Sequence, residues 1–319
     1  MRDTLSRLES LPNELIQTIF LYCLEFNLPR SSIHLARALS DHTIYTWLLR
    51  LAFTSTISDA IVTREYLPPP LCFDSLSMDA RYTLKNRILD CRWCTLSLLR
   101  EGQKEFLKRV TAQNQRDYVF EAKDHDALSS VERRFEDLVQ KSGVYAPDPM
   151  RVDLAVSARV PGRKRRCSIY VLLDFGAVLV GGSVHKFPSN DSAVSARVPD
   201  RLLTAPWTDR KLEFLRLLLL SGAHVDEGEE FERSQVVLAQ VFRERDFVTF
   251  QRLLDMGTRR MVSKDTEPWP LLAQHFRLAL KFADEHDDRF VRLLVDQWWD
   301  SVPDDIQLKE DLLRSIHNS

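Results

Sequence analysis

The sequence predicts an all-α protein in which a module of three short helices is followed by a stacked array of helix pairs. Two observations carry this prediction. Apolar residues recur at helical spacing near the start of the chain, and a motif of paired leucines ahead of a glycine recurs through the C-terminal two thirds. We therefore expect a helical module over 1–53, a helical connector with a proline-rich spacer over 54–115, and helical repeats over 116–319.

The composition is that of an ordinary globular protein. The chain has 319 residues, 44% of them hydrophobic, which is enough to form two or three units. Its 44 basic residues nearly balance 46 acidic ones, so a general nucleic-acid or membrane binder is not expected. The sequence shows no signal peptide and no apolar run long enough to cross a bilayer, and its five cysteines are scattered. These features predict an intracellular protein, in cytosol or nucleus.

The first predicted helix carries an apolar stripe that is wider than one neighbouring helix requires. Pro12 suits the first helical position, and Glu14 lies in the first turn, where the helix dipole favours a negative charge. At 100° per residue, half of the helical wheel holds Leu11, Leu15, Ile16, Ile19, Phe20, Tyr22 and Cys23. The extra width predicts a contact beyond the module itself, either with the rest of the chain or with a partner.

Two further short helices follow. Leu28-Pro29 ends the first pattern, because the residue before a proline avoids helical angles, and Ser31 or Ser32 can then cap a second helix. Asp41 can cap a third helix with an aromatic-rich apolar face. Three helices in such a short stretch bury too little surface to be stable alone. They could equally be the first core helices of a larger helical protein.

The run LPNELIQTIFLYCL resembles the first helix of an F-box, and the three-helix length agrees with that family. The whole three-helix segment is similar to the divergent F-box-like segments of many fungal proteins. F-boxes dock on the Skp adaptor subunit of cullin-RING ubiquitin ligases. The resemblance implies six contact residues here: Leu11, Pro12, Leu15, Ile16, Ile19 and Phe20.

The connector is predicted to be partly extended and partly helical. The segment LPPPL after Tyr66 favours a polyproline spacer, and a helical stretch capped near Ser77 continues through Leu99. Within that stretch, the spacing of Cys91 and Cys94 in CRWC would place both thiols on one helical face. A zinc site needs four ligands and no second such pair accompanies them, so we interpret them as buried helical cysteines.

The C-terminal two thirds contain repeated sequence. The segment AVSARVP begins at Ala155 and again at Ala193, 38 residues later. Paired leucines precede a glycine in LLDFGAVL, LLLLSGAHVD and LLDMGTRR, with a weaker copy in DLVQKSGV. The glycines are Gly143, Gly176, Gly222 and Gly257, at successive offsets of 33, 46 and 35 residues. A glycine in this position ends a helix with left-handed angles, so each unit is predicted to be two helices with a glycine cap.

These units resemble ankyrin repeats, and LRLLLLSGAHVD is the best match. VVLAQVFRERDFVTFQRLLDMG and RLALKFADEHDDRFVRLLVDQW are both predicted to be helix pairs. The segment GGSVHKFPSND is interpreted as an insertion. The second helix pair has no glycine after it and is followed closely by Trp298 and Trp299, so it is interpreted as an end unit. An irregular helical solenoid of another type is the alternative, and both kinds of array bind proteins on extended surfaces.

Three other clusters of charged residues are candidates for a metal, catalytic or binding site. Lys123–Asp126 and Glu285–Asp288 join histidine to acidic residues, but both fall in expected turns and are interpreted as solvated charge. The basic run Arg163–Arg166 could be a nuclear-import signal, a patch for an acidic partner or an exposed turn. No phosphate-binding motif and no nucleophile in a recognisable context is present, so no catalytic, metal or cofactor site is predicted.

Together these features predict a non-enzymatic adaptor. By resemblance, its N-terminal helices would bind the Skp subunit of an SCF-type ligase, and its repeats would bind a target protein for ubiquitin transfer. The alternative is an ankyrin-like scaffold whose first helices only cap the array and which has no ligase role. The third class is an enzyme whose active site is assembled from residues far apart in the sequence.

Overall fold

A computed structural model of the chain contains helices at both ends and an antiparallel sheet in the middle. Its Cα packing divides the chain into two compact units, residues 1–196 and 197–319. The structure describes residues 6–54, 76–141, 151–162, 166–189, 195–228, 230–258, 268–283 and 288–317.

Over the described residues 6–54, the N-terminal module contains four short helices where the sequence predicts three, and two of them start at predicted caps. The additional helix is Leu28–Ser31, which has Pro29 in its first turn, where a proline is tolerated. The helices are α1 (Asn13–Cys23), α2 (Leu28–Ser31), α3 (Ile33–Leu39) and α4 (His42–Phe53). The Ser32 hydroxyl accepts a hydrogen bond from the His34 amide (3.1 Å), and the Asp41 carboxylate accepts one from the Thr43 amide (2.6 Å). Both capping predictions are confirmed. Pro12 precedes α1 instead of starting it.

The connector helices are interrupted where the sequence predicts one continuous stretch. Helix α5 spans Met78–Asp90, begins at the predicted Ser77 cap, and is followed by α6 (Leu96–Asp117). The CRWC segment lies in the turn between them, so the prediction that its cysteines share a helical face is wrong. The turn forms because the Thr95 hydroxyl caps a new helix by accepting a hydrogen bond from the Leu98 amide (3.4 Å).

The prediction of an all-α fold is wrong, because residues 119–186 contain five antiparallel strands in the described part of the chain. The strands pair in chain order. They are β1 (Val119–Phe120), β2 (Leu154–Arg159), β3 (Arg166–Leu172), β4 (Ala177–Val180) and β5 (Ser183–Lys186), with helices α7 (Ala122–Ser129) and α8 (Val131–Gln140) between β1 and β2.

The alternation of side chains explains why these segments form strands. Val156 and Ala158 of β2 and Ile169 and Val171 of β3 are buried, whereas the residues between them are exposed or half-buried. This period of two matches a sheet with one covered face. The first AVSARVP copy therefore forms a strand, and the described part of the second copy, 195–199, is extended and outside any helix. The duplicated segment does not mark a helical repeat.

Gly176 illustrates why the leucine-glycine motif misled the prediction. It lies in the turn between β3 and β4 with a φ of +63°, not at a helix end. A Cβ atom there would approach the Gln103 Nε2 and the Phe187 carbonyl oxygen to 2.5 Å. A left-handed helix cap and a turn such as this one both place a residue at positive φ, so glycine after an apolar run indicates either one.

A buried polar cluster attaches the sheet to the helices of the first unit. The Arg100 guanidinium donates to the Gln103 side chain (2.9 Å), to the Asp174 carboxylate (2.9 Å) and to the Asp174 carbonyl (3.0 Å). The Lys85 ammonium donates to the Ser189 carbonyl (3.1 Å). Because these groups are buried and hydrogen-bonded to one another, they fix the position of α5 and α6 against the sheet.

The second unit contains stacked helices. They are α9 (Asp209–Ser221), α10 (Glu232–Glu244), α11 (Phe247–Thr258), α12 (Ala273–Lys281), α13 (Arg289–Trp298) and α14 (Ile306–His317). Helix α9 packs on α11, α10 on α12 and α12 on α14. The predicted helix pairs α10–α11 and α12–α13 are present. Trp298 and Trp299 are followed by α14, so they do not end the helical stack.

Particular residues hold this stack together. Gly222 ends α9 with a φ of 104°, as the sequence predicts, and its amide donates to the Leu219 carbonyl (3.0 Å). The rings of Phe242 and Phe250 have their centroids 4.7 Å apart, and Phe290 lies 5.3 Å from the first and 5.2 Å from the second. This aromatic cluster joins helices from successive pairs.

Some predicted features lie outside the described residues. These are the LPPPL spacer with the segment before it, and Gly143 of the weakest leucine-glycine copy. The others are residues 163–165 of the basic run, the last two residues of GGSVHKFPSND (190–191), and residues 285–287 of the second histidine-acidic cluster. Among the helices that the structure describes, no helix has both the length and the apolar composition needed to cross a bilayer.

Candidate partner-binding surface on helix α1

Helix α1 has one buried face and one exposed face, and the predicted contact residues are divided between them. Ile16 and Phe20 are buried in the module core. Leu15 is 50% exposed and Ile19 is 39% exposed. The structure therefore brings Leu15 and Ile19 together at the surface and places Ile16 and Phe20 behind them. Pro12 is exposed at the start of the helix.

The buried face attaches α1 firmly to its neighbours. The rings of Phe20 and Phe26 meet edge to face, with centroids 5.9 Å apart. The Gln17 side-chain amide donates to the Ala38 carbonyl (2.9 Å), which ties α1 to the end of α3. At the end of α1, Leu24 adopts left-handed angles and its amide donates to the Phe20 carbonyl (2.7 Å). The helix is thus held in place before any partner binds.

The exposed face presents Leu15, Ile19 and Tyr22, which we name the α1 row. The residues are spaced four and three positions apart, so their side chains follow one line along the helix. Tyr22 belongs to the predicted apolar stripe but was not among the predicted contact residues. The row is informative because large apolar side chains in a line on a surface are typical of a contact site.

The segment before α1 is also attached to the module. The Ser32 hydroxyl donates to the Glu9 carboxylate, and the Ser6 amide donates to the same carboxylate (2.7 Å). These hydrogen bonds, with that of Ser32 the largest cause, lower the pKa of Glu9 to about 2. Ile33, the residue after Ser32, is exposed at the start of α3. Ile33 is not among the six contact residues that the F-box resemblance implies.

The acidic and histidine clusters have structural roles where they are described. The Asp124 carboxylate accepts a hydrogen bond from the Ser157 amide (3.2 Å), which ties α7 to the edge of β2, while His125 and Asp126 are exposed. The Asp288 carboxylate is fully buried, caps α13 and pairs with Arg245. In the ranges that the structure describes, no group of three histidine, cysteine or acidic side chains is placed to hold a metal ion.

Comparison of the chain with protein-family models, with curated proteins and with solved structures finds no match. The resemblances to F-boxes and to ankyrin repeats therefore remain predictions from the sequence. The α1 row, which lies on a firmly packed helix, is an exposed apolar surface that a partner protein could contact.

Proposed function

We propose that the protein is a non-enzymatic adaptor of the cytosol or nucleus, and that it acts as the substrate receptor of an SCF-type cullin-RING ubiquitin ligase. The observation that carries this proposal is the exposure of Leu15 and Ile19 on α1. In the F-box-like segment, these two positions are expected to contact the Skp subunit, and their exposure leaves them accessible to it.

The α1 row can supply the apolar centre of such an interface. Full burial of an aliphatic side chain contributes about 1.5–3 kcal/mol, and Leu15 and Ile19 each have much of their surface left to bury. Tyr22 adds an aromatic side chain with a polar end, a type enriched at protein interfaces. Because the other face of α1 is already packed, binding does not require the helix to be ordered first.

The six predicted contact residues have two roles in this proposal. Leu15 and Ile19 touch the Skp subunit, with Pro12 and the half-buried Leu11 at the start of the helix. Ile16 and Phe20 act from behind, because they are buried and set the position of α1. The target protein is bound elsewhere on the chain, for which the stacked helices α9–α14 offer an extended surface.

The test is co-purification of the full chain with a recombinant Skp subunit. We expect the native chain to bind and the double variant Leu15→Asp/Ile19→Asp to lose binding, because it places two charges in the apolar contact. A matched control replaces two similarly exposed apolar residues elsewhere in the same unit, Met78→Asp/Val152→Asp, and should bind like the native chain.

The circular dichroism spectrum and melting temperature of both variants should match those of the native chain, since all four side chains are at least partly exposed. Loss of binding in both double variants, or retained binding in Leu15→Asp/Ile19→Asp, would contradict the proposed contact. If the native chain does not bind the Skp subunit, the ankyrin-like scaffold becomes the better explanation. The stacking of α10 on α12 and of α12 on α14 is the observation that favours that alternative.

A further inference from the structure

The hairpin formed by β2 and β3 turns one row of side chains of each strand towards solvent. On β3 the exposed residues are Arg166, Ser168 and Tyr170. On β2, Ser157 lies opposite Ser168, and Arg159 lies opposite Arg166. We name these five residues the outer hairpin face. The alternate residues of both strands, such as Ile169 and Val156, are buried, so the register of this face is fixed by the core.

Two arginines meet at one end of the outer hairpin face. Arg159 and Arg166 are directly opposite each other in the β2–β3 register, and both are exposed. Within the described residues, neither guanidinium has an ion pair or a hydrogen bond to a protein group. Like charges directly opposite one another destabilise a sheet. The pair therefore does not stabilise the fold, and it leaves two guanidinium groups available to an anion.

An apolar row crosses the sheet at the other end of this face. Ala155, Tyr170, Leu179 and Val184 are successive cross-strand partners on β2, β3, β4 and β5. Tyr170 is 40% exposed and Val184 is 47% exposed, and Leu179 between them is half-buried. Arg166 and Tyr170 are four positions apart on β3, which places their backbone atoms about 13 Å apart along the strand.

We propose that this surface binds an extended, acidic segment of a protein. Aspartate or glutamate carboxylates of the segment accept hydrogen bonds from Arg159 and Arg166, and an apolar side chain about four residues along the segment packs on Tyr170 and Val184. Ser157 and Ser168 lie between the two contacts and suit the polar backbone of an extended peptide. The proposal does not depend on ligase binding through α1.

The charges around the face favour an acidic peptide over a nucleic acid. Asp124 lies at the edge of β2, where its carboxylate accepts a hydrogen bond from the Ser157 amide. The whole chain carries a net charge of −2. A continuous phosphate backbone would meet these negative charges, whereas a peptide can place its acidic residues at the arginines alone.

The test uses the full chain and a fluorescein-labelled peptide about 12 residues long, with glutamates at one end and a leucine-tyrosine pair about four residues later. Binding is followed by fluorescence anisotropy. We expect the acidic peptide to bind and a matched peptide with glutamine at the glutamate positions to bind at least about tenfold more weakly. Higher salt should weaken binding of the acidic peptide, because the contact is electrostatic and near the surface.

Variants locate the contact. The double variant Arg159→Gln/Arg166→Gln should weaken binding at least about tenfold without lowering the melting temperature, because the two arginines repel each other. The control Arg37→Gln/Arg133→Gln removes the same charge from exposed arginines elsewhere in the unit and should change binding less than about twofold.

Three outcomes would overturn the proposal. The first is equal binding of the acidic and glutamine peptides, and the second is equal binding by the two double variants. The third is tighter binding of labelled oligothymidine than of the acidic peptide, lost in Arg159→Gln/Arg166→Gln, which would assign the surface to a nucleic acid.

Discussion

His275 should make the stability of the second unit depend on pH. The side chain is fully buried at the start of α12, and its ring stacks on Phe242 with centroids 6.2 Å apart. Its Nδ1 accepts a hydrogen bond from the Leu272 amide (3.0 Å), so the single proton of the neutral ring is on Nε2. Burial lowers the pKa of His275 to about 4, and the backbone carbonyl of Gln235 offsets this only partly.

The size and sign of the effect follow from the two pKa values. The folded-state pKa, about 4, lies below the ordinary value of 6.5, so the unfolded chain binds more protons between these two pH values. The contribution of neutral His275 is complete above pH 6.5 and is lost as the pH falls towards 4. At pH 5 the loss amounts to about 2 kcal/mol of unfolding free energy.

The assay is urea unfolding of the full chain at pH 7.5 and at pH 5, followed by tryptophan fluorescence. The variant His275→Gln does not titrate, and its side-chain oxygen can still accept from the Leu272 amide. We expect native stability to fall by about 2 kcal/mol more than that of His275→Gln over this range. The exposed histidine variant His125→Gln should behave like the native chain. The reasoning would be refuted if the native chain and His275→Gln differed in unfolding free energy by the same amount at pH 7.5 and at pH 5.

Three further outcomes are expected from urea unfolding of single variants. Asp288→Ala should cost about 1–3 kcal/mol, because it removes a buried helix cap and leaves the partly exposed Arg245 without its carboxylate. Gly176→Ala should cost clearly more than Gly182→Ala: both glycines have a positive φ, but only at Gly176 would the new Cβ atom collide with its neighbours. Arg166→Glu should raise stability by about 0.2–1 kcal/mol, because it replaces the repulsion with Arg159 by an attraction; a lower stability would contradict the register described for β2 and β3.

Local signals predicted several helix boundaries correctly, although they did not predict α2 or α14. Ser32, Asp41 and Ser77 each cap the helix for which the sequence proposed them, because a cap needs only a short polar side chain next to an apolar periodic run. Gly222 ends α9 for an equally local reason. Such features are readable because the groups that interact are within four residues of each other.

The sheet was missed because its evidence is spread over distant residues. The segment at Leu172 and Leu173 reads as a helix end when only its leucines and glycine are considered, although Ile169, Tyr170 and Val171 before it favour a strand. A strand is stable only when a partner supplies its hydrogen bonds, and here the partners of β3 lie in β2 and β4. The exact repetition of AVSARVP strengthened the repeat interpretation, yet its first copy is a strand.

The candidate surface on α1 was only partly predictable. Periodicity correctly identified a wide apolar stripe with Leu15, Ile16, Ile19 and Phe20 on it. Which half of that stripe would stay exposed depended on where α3 and the Phe26 ring pack, and a helical wheel contains no such information.

The sequence by itself determined where α3, α4 and α5 begin and where α9 ends, how the apolar stripe of α1 is spaced, and that the second unit contains helix pairs. These properties arise from capping and from side-chain period, which act within one element. Only the tertiary structure decided that the segments β2 to β5 form a sheet, that Ile16 and Phe20 turn inward while Leu15 and Ile19 remain exposed, and that Arg159 meets Arg166. Each of these depends on pairing between segments far apart in the chain, because packing and strand register are set by the partner as much as by the segment itself.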